Sequence, residues 1–242
     1  MRAREPDNSG YIVRDGVNVY YEVFGDGEPT VLLMPTHPIV HSLMWKGQVA
    51  YLARHFRVIT FDPRGNGKSD RPLDPAAHDD SQHVSDALQV MDETATDRAV
   101  VVGLCRGAGW ALQFGADHPE RVLGVVSISA GLPFLAPPHP HRVVYSFDEE
   151  LGTDEGWAKH NRHFWKRDYR SFVEFFFEQL LPEPHSTKQW EDCVDWAMES
   201  SVEAMLAAED GKPSPASEEE SVELLRKLTC PTLFIHGRLD AC

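Results

Sequence analysis

Short β-favouring runs alternate with helically spaced stretches through the first half of the chain, and that alternation restricts the fold more than any other feature. Thr30–Met34 is a continuous apolar run, as expected for a strand buried on both faces. Phe56–Phe61, Ala99–Val102 and Val122–Ser129 read as further strands. Between them, Ser42–His55 carries Leu43, Trp45, Val49 and Leu52 at helical spacing, Val84, Leu88 and Met91 mark another helix, and Ala108–Phe114 opens a third that must end before Pro119. Two earlier strands, Tyr11–Arg14 and Val17–Val23, meet at Asp15-Gly16, a hairpin dipeptide. The pattern predicts an α/β fold: a mainly parallel sheet with helices on both faces.

The alternation stops for about a hundred residues. Leu132–Thr229 reads as helical and aromatic, and the strand pattern resumes only at Thr232–Ile235. The expected organisation is a core over 1–131, a helical cap or lid over 132–229, and a continuation of the core over 230–242. Within the cap, Tyr169–Leu181 holds Phe172, Phe175, Phe176 and Phe177, read as a helix packed over a cleft, whose rings could alternatively line an apolar acyl pocket. Pro137–His141 reads as a rigid loop leading into the cap, and Glu191–Glu223, rich in acids, as a solvated face.

Charge and cysteine usage bound the partners. Lys plus Arg is 23 against 38 Asp plus Glu, a net charge of −15, which repels phosphate backbones and excludes nucleic acid as the main partner. The run Val122–Ile128 is too short to cross a bilayer, and the arginines near Met1 precede no apolar stretch, so neither a membrane span nor a signal peptide is expected. Cys105, Cys193, Cys230 and Cys242 show no CxxC spacing, which suits a reducing cytoplasm.

The sharpest motif is Gly103-Leu104-Cys105-Arg106-Gly107, placed where a buried strand meets a helix. A nucleophile there occupies a tight turn, its side chain exposed at the C-terminal edge of the sheet. The first amides of the helix point at the same place, favouring a developing oxyanion and a thiolate, with Arg106 adding charge if its side chain turns that way. The plain alternative is a small core cysteine in a tight turn.

Together with Val31–Met34, Trp45, Phe61–Ser69 (Phe-Asp-Pro-Arg-Gly-Asn-Gly-Lys-Ser), His118–Val122 (His-Pro-Glu-Arg-Val) and Pro231–Asp240, this motif resembles the α/β-hydrolase fold, in order and spacing, from about Tyr11 onward. Lipase-like and esterase-like members carry Ser where this chain has Cys105. Dienelactone hydrolases and polyhydroxyalkanoate synthases, which resemble it in this respect, use Cys. The resemblance implies a catalytic Cys105, an acid at Asp240 in Gly237-Arg238-Leu239-Asp240, and an oxyanion hole formed by the backbone N–H of Arg106 and of His37. At the latter loop Pro35-Thr36-His37-Pro38 replaces the usual His-Gly pair; otherwise His37 simply packs in a surface loop, and Asp240 in an exposed one.

The family's general base follows the acid, yet all twelve histidines precede Asp240. The expectation is that the sequence is a piece of a longer chain, lacking the last strand and helix. The alternatives are a binding module without a base, or an out-of-order imidazole such as His236 or one from the cap. The implied activity is hydrolysis of carboxylic ester, thioester or lactone bonds through an acyl-enzyme, with acyl transfer or non-catalytic ligand binding as alternatives. The implied partner is an apolar small-molecule acyl substrate, with no cofactor. His160 and His163 at i, i+3 could share a helix face, but cationic neighbours argue against a metal there. The Arg64–Lys68 loop has no nucleotide-binding spacing. Oligomeric state is not legible.

Overall fold

The computed structural model describes residues 4–132, 135, 143–238 and 240, so the Pro137–His141 loop lies outside the described residues. Seven strands form one mixed sheet in the order β1-β2-β4-β3-β5-β6-β7. The strands are β1 (Asn8–Arg14), β2 (Val17–Phe24), β3 (Thr30–Leu33), β4 (Arg57–Phe61), β5 (Ala99–Leu104), β6 (Val122–Ile128) and β7 (Thr232–Ile235). The first two pair antiparallel, as does β2 with β4. Every other pairing is parallel. Asp15 and Gly16 join β1 to β2 with φ of 53° and 78°, the left-handed pair that a two-residue hairpin requires.

The helices are α1 (Lys46–Leu52), α2 (Asp80–Glu93), α3 (Arg106–Asp117), α4 (Arg162–Leu180), α5 (Thr187–Ala197), α6 (Val202–Glu209) and α7 (Glu218–Lys227). Side chains alternate across the strands and build two layers. Val31, Leu33 and Val58 pack with Trp45, Val49 and Ala53 of the α1 region on one face. Leu32, Ile59, Val101 and Val125 pack with α2, α3 and Leu224 of α7 on the other. The alternation therefore positions α3 directly behind β5, which is what aims the junction at Cys105 outward.

Ser42–His55 is not one helix. A 3-10 turn over Ser42–Trp45 precedes α1, and the Trp45 indole donates to the Met34 carbonyl at 2.9 Å. That bond fixes the entry to α1 against the end of β3.

Between β6 and β7, α4–α6 form a separate apolar cluster around Phe164, Trp165, Phe172, Val173, Trp196 and Met205, joined by Ile39 and Val40 from the loop after β3. Phe172 and Phe177 are buried there, so the aromatic run packs as a helix should. His160 and His163 do not share a helix. His160 follows a 3-10 turn, Asn161 caps α4, and its Oδ1 accepts from the amides of His163 and Phe164 at 2.9 and 3.2 Å. The acids of the Glu191–Glu223 stretch are largely exposed, but much of the rest of it is buried, Asp192 is buried between Lys46 and Lys188, and Glu209 faces His37. Among the described residues no helix is long and apolar enough to cross a membrane, and no group of three or more His, Cys, Asp or Glu is placed to hold a metal.

Candidate active site

Cys105 sits between β5 and α3 with φ 56° and ψ −126°, a region that side-chain-bearing residues avoid. Its thiol is exposed. Its amide donates to the Ile128 carbonyl at 3.0 Å, and its carbonyl accepts from the Ala108 amide at 3.0 Å. These two bonds hold the strained turn from both sides. The flanking glycines are dictated by contact. A Cβ on Gly103 would overlap the Gly107 carbonyl, and one on Gly107 would overlap the Pro35 carbonyl. Arg106 opens α3, where a first-turn amide has no carbonyl four residues earlier within the helix. An amide at that position, next to the thiol-bearing residue, can stabilise negative charge on a reacting oxygen.

The Arg106 side chain is committed elsewhere. Its Nε pairs with Asp80 Oδ1 at 2.9 Å. The same carboxylate oxygen accepts from the Trp110 indole at 2.6 Å, and its partner oxygen accepts from the Ser214 amide at 2.9 Å. Asp80 thus ties the first turns of α3 to α2 and to the segment before α7. Nothing in the sequence pattern singled it out, because its partners are remote in the chain. Behind it His83 is fully buried and stacked on Trp110, centroids 3.9 Å apart. Burial, then the nearby Arg106 charge, pushes the His83 imidazole well below its usual range.

The Pro35–Pro38 loop runs beside the elbow. The Met34 amide donates to Val102 at 2.8 Å, carrying the β3–β5 ladder one step past the end of β3. His37 comes three residues later, and its Nε2 lies 3.0 Å from Glu209 Oε1 at the end of α6. Burial would raise the Glu209 carboxyl, but His37, assisted by His160 and Arg106, brings it down to about 2. Burial, with the Glu209 charge adding to it, pushes the Tyr169 phenol on α4 upward.

The Asp62–Ser69 segment acts as scaffold. Asp62 accepts from the Ser42 and Lys68 amides at 3.0 and 2.9 Å. Arg64 makes a two-point pair with Asp86 at 2.6 and 2.8 Å, both side chains being 1% exposed. Asn66 donates to the carbonyls of Pro38 and Trp196, bridging the loop after β3 to α5.

Asp240 sits in the turn that follows β7. Its amide donates to the Gly237 carbonyl at 3.3 Å, closing a turn after β7, and its carboxylate is 3.7 Å from His236 Nε2. His236 is largely exposed. The structure therefore brings Cys105, Arg106 and the His37 loop to adjoining strand ends, and places Asp240 with His236 in the loop after β7.

Comparison with known proteins agrees with this architecture. A family model described as the α/β hydrolase fold matches residues 29–242. The chain is 29% identical over 243 residues to a 2-hydroxymuconate semialdehyde hydrolase of Pseudomonas sp. strain CF600, covering 97% of this chain and 80% of that one. It is 25% identical to a bifunctional esterase/perhydrolase of Acinetobacter calcoaceticus, covering 96% and 82%. A curated relative from Variovorax paradoxus aligns at 34% identity over 46% of this chain, which spans 42% of that relative's length. Among solved structures, a bromoperoxidase from Bacillus anthracis superposes with a TM-score of 0.75 at 24% identity, over 97% of this chain and 83% of that one.

Proposed function

Because the chain belongs to the α/β-hydrolase fold family, we propose that it is a hydrolase of carboxylic ester, thioester or lactone bonds in which Cys105 is the nucleophile. One observation carries this reading: an exposed thiol on a strained strand-to-helix turn, at the N-terminus of α3. A core cysteine would not need that strain or exposure.

In the proposed reaction, the Cys105 sulfur, its proton taken by an imidazole, attacks the acyl carbon. The carbonyl electron pair moves onto oxygen, against the backbone N–H of Arg106 and of His37. The tetrahedral species collapses to a thioester as the alcohol or thiol leaves with the proton. Water, deprotonated by the same imidazole, then attacks the thioester, releasing the acid and restoring the Cys105 thiol. Asp240 is the carboxylate proposed to orient the imidazole. His236, its neighbour in the loop after β7, is one candidate imidazole. Helices α4–α6, within the 132–229 stretch, are proposed as a cap excluding water from an apolar acyl group, while α7 packs beside α3 against the sheet. Two relatives are named as an esterase/perhydrolase and a semialdehyde hydrolase, which supports carbonyl-directed chemistry.

Intact-mass spectrometry after p-nitrophenyl acetate and an acyl thioester tests the reading. One acyl adduct, mapped to Cys105 and lost in Cys105→Ala, is expected. An adduct elsewhere, or none, overturns it. His236→Ala separately tests that imidazole as the base, expected to slow acylation only if His236 is the one.

A further inference from the structure

We propose that Glu209 is a positioning residue: through His37 it couples the seating of the 132–229 helices to the geometry of the second oxyanion donor. The inference rests on the thioester chemistry proposed above and concerns how its oxyanion hole is held.

The loop after β3 has little freedom of its own except at its centre. Pro35 and Pro38 fix their own φ angles, and Pro38 also biases His37 before it towards extended backbone, which leaves Thr36 as the unrestricted residue between them. The two flanks are anchored. The Pro35 carbonyl presses on Gly107 where a Cβ would not fit, and the Pro38 carbonyl accepts from Asn66 at 2.8 Å. Two contacts then orient His37: its carbonyl accepts from the Val40 amide at 3.4 Å, and its Nε2 lies at ion-pair distance, 3.0 Å, from Glu209 Oε1. Glu209 is the last residue of α6, where the helix dipole disfavours a carboxylate. His37, with His160 and Arg106 nearby, offsets that penalty. The site is thus assembled from two parts of the chain: α6, whose Ala204, Met205 and Ala208 are buried among the interstrand helices, and the loop beside the nucleophile. Displacing α6 would carry Glu209 away and release the His37 amide.

An experiment separates this role from a general structural one by comparing two reactions of the same thiol. Acylation by p-nitrophenyl acetate develops an oxyanion; alkylation by iodoacetamide does not. Both are measured at Cys105 by peptide mapping in the full chain, in wild type, Glu209→Gln and Glu209→Ala. Glu209→Gln keeps shape and hydrogen-bonding capacity, which guards against misfolding of the alanine variant. Acylation is expected to slow about tenfold in Glu209→Ala and less in Glu209→Gln, below the full loss seen when an oxyanion donor is removed. Alkylation is expected to keep its wild-type rate. Equal slowing of both reactions, or neither, overturns the inference while leaving the nucleophile assignment intact. Absence of acylation in wild type overturns the thioester reading and this inference with it.

Discussion

Gly103 and Gly107 face each other across the Cys105 turn so closely that neither backbone has room for a methyl group on the first of them. Gly107 is held from its other side by Pro35. Gly103→Ala and Gly107→Ala are each expected to cost about 1–3 kcal/mol, the range for overpacking that only backbone movement can relieve. Urea unfolding followed by circular dichroism measures this. A loss within about 0.5 kcal/mol, typical of surface changes, would show that the turn is looser than its contacts imply.

Cys105 itself pays for its conformation. At φ 56° a glycine is at ease and a cysteine is not. Cys105→Gly is expected to raise stability by about 1 kcal/mol while abolishing acylation, with Cys105→Ala losing acylation and keeping the strain. A glycine variant no more stable than the alanine one in thermal melts would remove strain from the account.

The Arg64–Asp86 pair is closed off from water, and Arg14 Nε adds a further contact to Asp86 at 2.8 Å. Asp86→Ala leaves a buried guanidinium without its carboxylate and is expected to cost about 3–5 kcal/mol. Replacing Arg64 and Asp86 together should cost less than the sum of the single changes. Additive losses in the double-mutant cycle would mean that the two side chains act independently.

Stability should depend on pH in two windows. Burial lowers both His78 and His83 relative to the usual 6.5, more strongly for His83. The unfolded chain therefore binds protons that the folded chain refuses, and stability falls as pH drops below about 6.5. Glu209, brought from 4.5 to about 2, contributes stability that is present above 4.5 and lost as pH falls towards 2. Urea midpoints of wild type and His83→Asn between about pH 7 and 5 check the first window. A slope as steep in the variant as in wild type would exclude His83 as its source. Glu209→Gln should flatten the lower window alone.

What could be read from the chain was what close neighbours in sequence determine. Asp15-Gly16 announces its turn because few other pairs accept two positive φ angles, and the glycines around Cys105 follow from a turn too tight for side chains. The continuous apolar runs of β3 and β4 declared the sheet because these central strands are buried on both faces. The limits lie where distant segments meet. His160 and His163 looked like one helix face, but Asn161 starts the helix between them. Glu209 looked like one more solvated acid until the fold brought α6 to His37. Asp80 gave no signal, since the groups it gathers, Arg106, Trp110 and the Ser214 amide, come from elements that sequence spacing cannot bring together.

Leu233, Phe234 and Ile235 are exposed on β7, which among the described residues forms one edge of the sheet, in a chain with a formal net charge of −15. Two forces of different range then compete between molecules. Like-charge repulsion reaches about 10 Å at 0.1 M salt but only about 3 Å at 1 M, whereas apolar attraction at an open strand edge acts at contact. Light scattering should therefore show separate particles in dilute buffer and clustering as salt is added, a dispersion governed by ionic strength while the fold stays as it is.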